Sequence, residues 1–494
     1  MKSYSRKQFL GLMGLGALSF TGLGRYSSLL AAPTGARTLI HVLLEGGPDF
    51  RHLMVPPPNS NPSSYGYKFW NNRITSIGRG SSANNPSSWQ NIYNNYYEQI
   101  TLGGPSGTTI GVLRDNNGTA NANGWLRQMM KNGKVAIVNN VFHTTSRDHS
   151  HGLLITQSGV YETKAGSANA GGWGGRLISQ LGNPNRLLSI SNQIRPFCNT
   201  VNKERILSFT NSRNFGLNLP SVRSNGTLDI NDRGLRALQG YYSNLESSIG
   251  SPSLANTPYS KFQNQRLKIS NLTNSIKAAL PPPAQGQRIN DLYSSRMQNL
   301  FTGNARLRNQ NFANQIRNLR DAFQVQDILN MRVASLNYGG WDSHKNQLTD
   351  IEPQFDDLFG IDKGFDTLFN EFGGNVFDNT TLVFSGEFGR QLKSNGDNGT
   401  DHGRANSVIV IGGQVNGGIY GEMFPAIEAA NDGSGRAPFD NFNRDIEGRT
   451  IFDNVYGRIC TWMGAGGGIF ANGIPTELKN HTGGIENGTN MNFI

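Results

Sequence analysis

Five short strand-like runs, rich in apolar and β-branched residues, punctuate this chain at residues 37–44, 134–138, 331–338, 381–384 and 408–411. Loops that carry acids or histidines, most of them glycine-rich, lie at their ends. Runs of this length and composition read as buried strands. Helical stretches lie between them, at residues 124–132 and 153–158, and strands alternating with helices imply a largely parallel sheet. In an open sheet of that kind ligands bind where the strands give out into loops. The expected fold class is therefore α/β, a mostly parallel sheet flanked by helices.

At 494 residues the chain is too long for one ordinary core, and one large α/β domain over residues 37–494 with an insertion is the economical division. Only 16% of residues are charged and 61 are glycine, which describes a loop-rich globular protein with weakly charged surfaces. Residues 56–122, rich in Pro, Asn, Ser, Gly and Tyr, show little periodicity and read as a long decorated loop region. Residues 200–330 read as a mostly helical insertion or cap. Ile316, Leu319 and Phe323 share a helical face there, and Pro281-Pro282-Pro283 separates two helical stretches. Much of the net charge of +11 belongs to this segment. Such a basic face attracts phosphate- or sulfate-bearing polymers or an anionic membrane surface, or is simply a solvated helical exterior. No nucleic-acid-binding motif accompanies it.

Residues 1–32 have the layout of an export signal: a basic start at Lys2, Arg6 and Lys7, an apolar run over residues 9–23, and small residues at Leu30-Ala31-Ala32. Ser5-Arg6-Lys7-Gln8-Phe9-Leu10 is close to the twin-arginine pattern with Lys7 at the second arginine, and a Sec signal fits equally. An uncleaved anchor is the alternative, although the run is short for a span of ~20 residues. The expectation is an exported protein, periplasmic or extracellular. Cys198 and Cys460 allow one disulfide or serve as core fillers.

Acids and histidines gather at the predicted strand ends. Asp49 follows the first run in Gly46-Gly47-Pro48-Asp49, and Asp342 and His344 follow the third in Gly339-Gly340-Trp341-Asp342-Ser343-His344. Glu387 follows the fourth in Glu387-Phe388-Gly389-Arg390, and His402 precedes the fifth in Gly399-Thr400-Asp401-His402-Gly403. Carboxylate oxygens and imidazole nitrogens on several loops of one sheet edge are what a divalent cation (Zn, Mg, Mn or Ca) takes as ligands. Gly-x-x-x-x-Gly-Lys, Gly-x-Gly-x-x-Gly after the first strand, and His-Glu-x-x-His are all absent, which argues against P-loop, dinucleotide and zinc-protease chemistry.

In order and spacing these motifs resemble the bacterial domain-of-unknown-function 1501 family over most of residues 37–425. That family in turn resembles the alkaline phosphatase and sulfatase superfamily. The resemblance implies an alkaline-phosphatase-like fold and a metal site of Asp49, Asp342, His344, Glu387 and His402. Phe388 stands where a histidine ligand is usual, which implies one intact metal site and one impoverished. Counting back from Gly159 to the superfamily's nucleophile position lands on His149, between Asp148 and Ser150. Ser150 is then the nearest hydroxyl, Ser146 the second choice, and Arg390 a clamp for an anionic substrate or one half of a structural ion pair. Two functions follow as expectations. One is an exported metal-dependent hydrolase of phosphate or sulfate esters, acting on an anionic small molecule or polysaccharide. The alternative is a catalytically inactive envelope or extracellular binding or structural protein that keeps the fold.

Overall fold

The computed structural model describes residues 36–79, 83–116, 119–164, 171–200, 205–214, 271–431, 433, 435–470 and 491–494. The export reading of residues 1–32 and the central part of the insertion, residues 215–270, lie outside the described residues.

Eight strands form the main sheet: β1 (Thr38–Glu45), β2 (Val135–Phe142), β3 (Arg186–Ser189), β4 (Ile206–Ser208), β5 (Met331–Gly339), β6 (Thr380–Ser385), β7 (Ala405–Gly412) and β8 (Gly418–Tyr420). Their spatial order is β8-β2-β7-β6-β1-β5-β3-β4. β4, β3, β5, β1 and β6 run parallel, β7 is antiparallel to both its neighbours, and β8 is parallel to β2. All strands but β7 therefore point the same way. The start of β7 lies at the edge where β1, β2, β5 and β6 end, so one sheet edge collects the loops after Glu45, Phe142, Gly339 and Ser385 and the loop before Ala405.

Both faces are covered, as strands with apolar residues on both sides require. Ile40, Val42 and Leu44 of β1 join Leu382, Phe384, Ile409 and Ile411 in one core layer. Leu39, Val333, Val383, Val408 and Val410 join the other, which also buries Cys198 and Cys460 as free thiols. Strands β3, β4 and β8 are three or four residues long, too short for a pattern to be read from sequence. Among the described residues no helix is long and apolar enough to cross a membrane.

Residues 56–122 correct the expectation of a loop region. They hold helices α1 (Tyr65–Ile77) and α2 (Pro86–Tyr96) and two strands, Tyr97–Leu102 and Thr108–Leu113, of a small antiparallel sheet with Met54–Val55. Ser64 and Asn85 cap the helices by accepting from Tyr67 N and Ser88 N, and Pro86 takes the first turn, where its missing N–H costs nothing. Phe69, Arg73 and Ile77, and Trp89, Ile92 and Tyr93, recur at helical spacing on the buried faces. Composition hid that period, because the apolar positions are sparse and set among Asn and Ser. In the helical segment before β5, α4 (Gln310–Gln324) lays Phe312, Ile316, Leu319 and Phe323 on the first core layer.

His41 of β1 is buried in the second layer, stacked on Phe197 at 4.4 Å, and burial pushes its imidazole down to about 3. A base that stays neutral in the folded chain stabilises it only while the unfolded chain is also neutral. Above pH 6.5 there is no difference. As pH falls below 6.5 the unfolded chain takes up a proton that the folded chain refuses, and stability drops. The expected loss between pH 6.5 and 4.5 is on the order of 2–3 kcal/mol from this residue. Denaturant titrations at the two pH values check it. His41→Leu should flatten the dependence, and an unchanged slope would rule this account out.

Candidate metal centre

The collecting edge of the sheet brings three imidazoles onto one carboxylate. Asp342, three residues past β5, accepts at Oδ1 from Arg390 Nη2 at 3.0 Å and lies 2.9 Å from His402 Nε2 and 3.1 Å from His344 Nε2. Its Oδ2 is 3.4 Å from His149 Nε2. His344 and His402 face each other, Nε2 to Nε2, at 2.9 Å. The carboxyl is 41% exposed. Partial burial pulls its pKa upward, but the bond to His402 and the Arg390 and His344 charges hold it well below the usual carboxylate range.

Each ring is oriented from behind. His149 Nδ1 meets Glu387 Oε1 at 3.0 Å, His344 Nδ1 meets Asp401 Oδ1 at 2.8 Å, and His402 Nδ1 meets the Arg147 carbonyl at 2.8 Å. Glu387 is itself buried, and both its oxygens accept from Gly46 N, at 2.8 and 3.0 Å. Gly46 has φ +116°, and a Cβ there would stand 2.3 Å from Asp342 N, so the turn after β1 admits only glycine. His149 opens helix α3 (His149–Ser158), capped by Asp148 Oδ1 accepting from His151 N at 2.8 Å. The bond to Glu387, against partial burial, raises the His149 pKa.

This arrangement fits a cation. An Nδ1 that donates its proton to the carboxylate or carbonyl behind it frees Nε2 to bind a metal. The Nε2 atoms of the three rings converge on the Asp342 carboxylate, with the closest pairs at 2.9–3.4 Å. A shared cation would take the place of the protons that otherwise bridge these contacts. One ligand atom each from His149, Asp342 and His402 lies within 4.8 Å of the others, and His344 adjoins two of them. Imidazole nitrogens with one carboxylate suit zinc, or manganese and iron, better than calcium or magnesium, which prefer all-oxygen shells.

The other expected residues are placed differently. Asp49 is buried one layer deeper, paired with Arg73 and accepting from Gln347 Nε2 at 2.9 Å; burial opposes ionisation but Arg73 and His52 keep its pKa low. Glu387 stands behind His149 instead of beside Asp342. Arg390 corrects the substrate-clamp reading. It is fully buried and donates to the carbonyls of Gly46, Gly47, Trp341 and Thr400 as well as to Asp342. Its fork ties three loops together and faces no solvent. Ser150 is exposed, and among the described residues it has no hydrogen bond to the cluster; Ser146 Oγ accepts from Asp148 N at 3.0 Å. Phe388 packs against His402 and His149, ring centroids 4.2 and 4.9 Å apart.

Asp401 and the Arg147 carbonyl were not picked out from the sequence, although Asp401 directly precedes His402 and an acid beside a candidate ligand is the one available signal. Asp401→Asn should weaken metal binding roughly 10–100-fold, the usual cost of losing an orienting partner. Competition against a chromophoric chelator measures it, and wild-type affinity would contradict the orienting role.

No curated protein matches the chain. Residues 296–433 do match a family model, and they carry Asp342, His344, Glu387, Arg390, Asp401 and His402, while His149 and Asp49 fall outside the match. That model is described as "Protein of unknown function (DUF1501)", and this stretch of the chain is of the DUF1501 family.

Proposed function

We propose that the protein is an exported, metal-dependent hydrolase of phosphate or sulfate esters. One divalent cation would be held by His149, Asp342 and His402, with His344 beside them. The observation that carries the reading is the convergence of three back-anchored imidazoles on Asp342 at the sheet edge; export rests on the sequence of residues 1–32. A divalent cation supplies Lewis acidity there, polarising the ester's oxygen and acidifying water.

The chain's own residues supply the rest. With Arg390 internal, the anion falls to Arg147 and Arg404, which are 34% and 38% exposed and stand two residues from His149 and His402. Asp445 fixes both, accepting from Arg147 Nη2 at 2.6 Å and from Arg404 Nε at 2.8 Å. Among the described residues both Nη atoms of Arg404 are without a partner, an open fork for two anionic oxygens. The start of the ten-residue helix α3 adds a favourable dipole.

A second reading, a catalytically silent binding protein, is favoured by one fact: among the described residues no hydroxyl is hydrogen-bonded to the His149, Asp342, His344 and His402 side chains. Turnover of aryl phosphates and sulfates by the metal-loaded protein separates the two. The hydrolase should turn over one class, and Arg404→Gln should raise KM roughly 10–100-fold, the worth of a charged hydrogen bond. No turnover of either class leaves the silent reading.

A further inference from the structure

Two of the loops that carry the metal cluster meet backbone to backbone. Thr400 N donates to Ser343 O at 3.2 Å, and a Cβ on Gly399 would stand 2.3 Å from the carbonyl oxygens of Ser343 and His344. Ser343 lies between Asp342 and His344, and Thr400 directly precedes Asp401 and His402. Whatever holds Ser343 against Thr400 therefore sets how His344 and His402 face each other.

Gln347, the first residue of helix α5 (Gln347–Phe359), lies under that seam and is fully buried. Its Oε1 accepts from Thr400 Oγ1 at 2.7 Å and from Ser343 Oγ at 3.1 Å. Its Nε2 donates to Asp49 Oδ2 at 2.9 Å and lies 3.2 Å from His52 Nδ1. A primary amide offers two N–H groups and two lone pairs, and here all four are matched. The orientation is forced. Asp49, paired with Arg73, only accepts, so the amide nitrogen must face it and the oxygen must face the hydroxyls. His52 takes the second N–H at Nδ1, because its Nε2 faces Glu352 Oε1 at 2.7 Å while Arg79 donates to the other oxygen of Glu352.

Asp49, His52, Glu352, Ser343 and Thr400 are all buried with Gln347. A buried polar network with every group satisfied selects one arrangement of the segments that contribute to it, since any other leaves groups unpaired. A glutamate at 347 would set a second carboxylate against Asp49. A methionine would fill the space and leave both hydroxyls without their acceptor. Arg390 holds these loops by their carbonyls from one side, and Gln347 holds their side chains from the other.

We propose that Gln347 is a positioning residue of the metal centre: by clamping Ser343 and Thr400 it fixes the register of two ligand loops and the apposition of His344 and His402. As a device for positioning a cation it rests on the metal-dependent reading; as a device for positioning the two rings it stands without it.

The test compares full-length wild type with Gln347→Met, Thr400→Val and Thr400→Ser. Long-range ¹H–¹⁵N spectra of the metal-free proteins report the His344 and His402 imidazoles. Chelator competition for cobalt(II), whose absorption follows its coordination geometry, reports the site when filled. Gln347→Met and Thr400→Val should shift both ring signals, weaken cobalt binding roughly 10–100-fold and alter its absorption band. Thr400→Ser keeps the hydroxyl and should match the wild type in all three. A residue that served stability alone would lower the unfolding midpoint and leave the ring signals where they are. Wild-type ring signals in folded Thr400→Val and Gln347→Met, or a Thr400→Ser that behaves as Thr400→Val, overturn the proposal. A wild type that takes up no cobalt refutes the cation, and the metal-free spectra then decide the positioning by themselves.

Discussion

Asp342→Ala is expected to abolish stoichiometric metal retention, an effect larger than the ~10–100-fold cost of losing an orienting group such as Asp401. The reason is the hub position of this carboxylate. Oδ1 serves Arg390, His402 and His344 within 3.1 Å, and Oδ2 lies 3.4 Å from His149 Nε2. Without it three neutral imidazoles surround a site with no anionic donor, and the buried guanidinium of Arg390 keeps its charge with no carboxylate hydrogen-bonded to it. Asp342→Asn separates the two losses. The amide preserves the volume and can accept from Arg390, but carries no charge, so metal affinity should fall while stability changes less than in the alanine variant. Chelator competition and denaturant titration on the two variants measure both. Undiminished metal affinity in Asp342→Ala would place the cation elsewhere.

The second large effect is structural. Arg390→Met should destabilise the fold by about 2–5 kcal/mol, chiefly because four loop carbonyls lose their donor; the pair with the half-exposed Asp342 adds less. Arg390→Lys should recover little. An ammonium is a compact point with three donors, and it does not reproduce a planar fork that reaches Gly46, Gly47, Trp341 and Thr400 from one centre. Because those carbonyls belong to the loops after β1 and β5 and before β7, loosening them should also lower metal affinity. A loss below about 1 kcal/mol in denaturant titration would contradict the role assigned to Arg390.

The sheet and the edge that gathers the acids and histidines were legible in the sequence because burial on both faces leaves these strands mostly apolar: residues 381–384 and 408–411 fall inside β6 and β7. Direction was less legible. That β7 runs against its neighbours depends on pairing with β6 and β2, a tertiary fact, and it is what brings His402 to the same edge as Asp342. The motifs located the candidate centre but not each residue's part in it. Asp49 and Glu387 have the same chemistry as Asp342, and only Arg73 beside the first and Gly46 N with His149 beside the second assign them to support. Arg390 likewise reads as a phosphate clamp until its burial is seen. His149 came from a spacing argument for a nucleophile, and its ring reaches the cluster because Asp148 starts α3 one residue earlier. Helices α1 and α2 were lost to composition, since Asn and Ser between aromatic residues obscure a period that the caps and buried faces make plain.

The measurement that bears most directly on the central claim is elemental analysis of protein purified without chelator, run beside His402→Ala and His149→Ala. The account predicts about one equivalent of a transition metal or zinc per chain in the wild type and loss of it in both variants. A wild type without metal, or variants that keep it, would contradict a cation held between His149, Asp342 and His402.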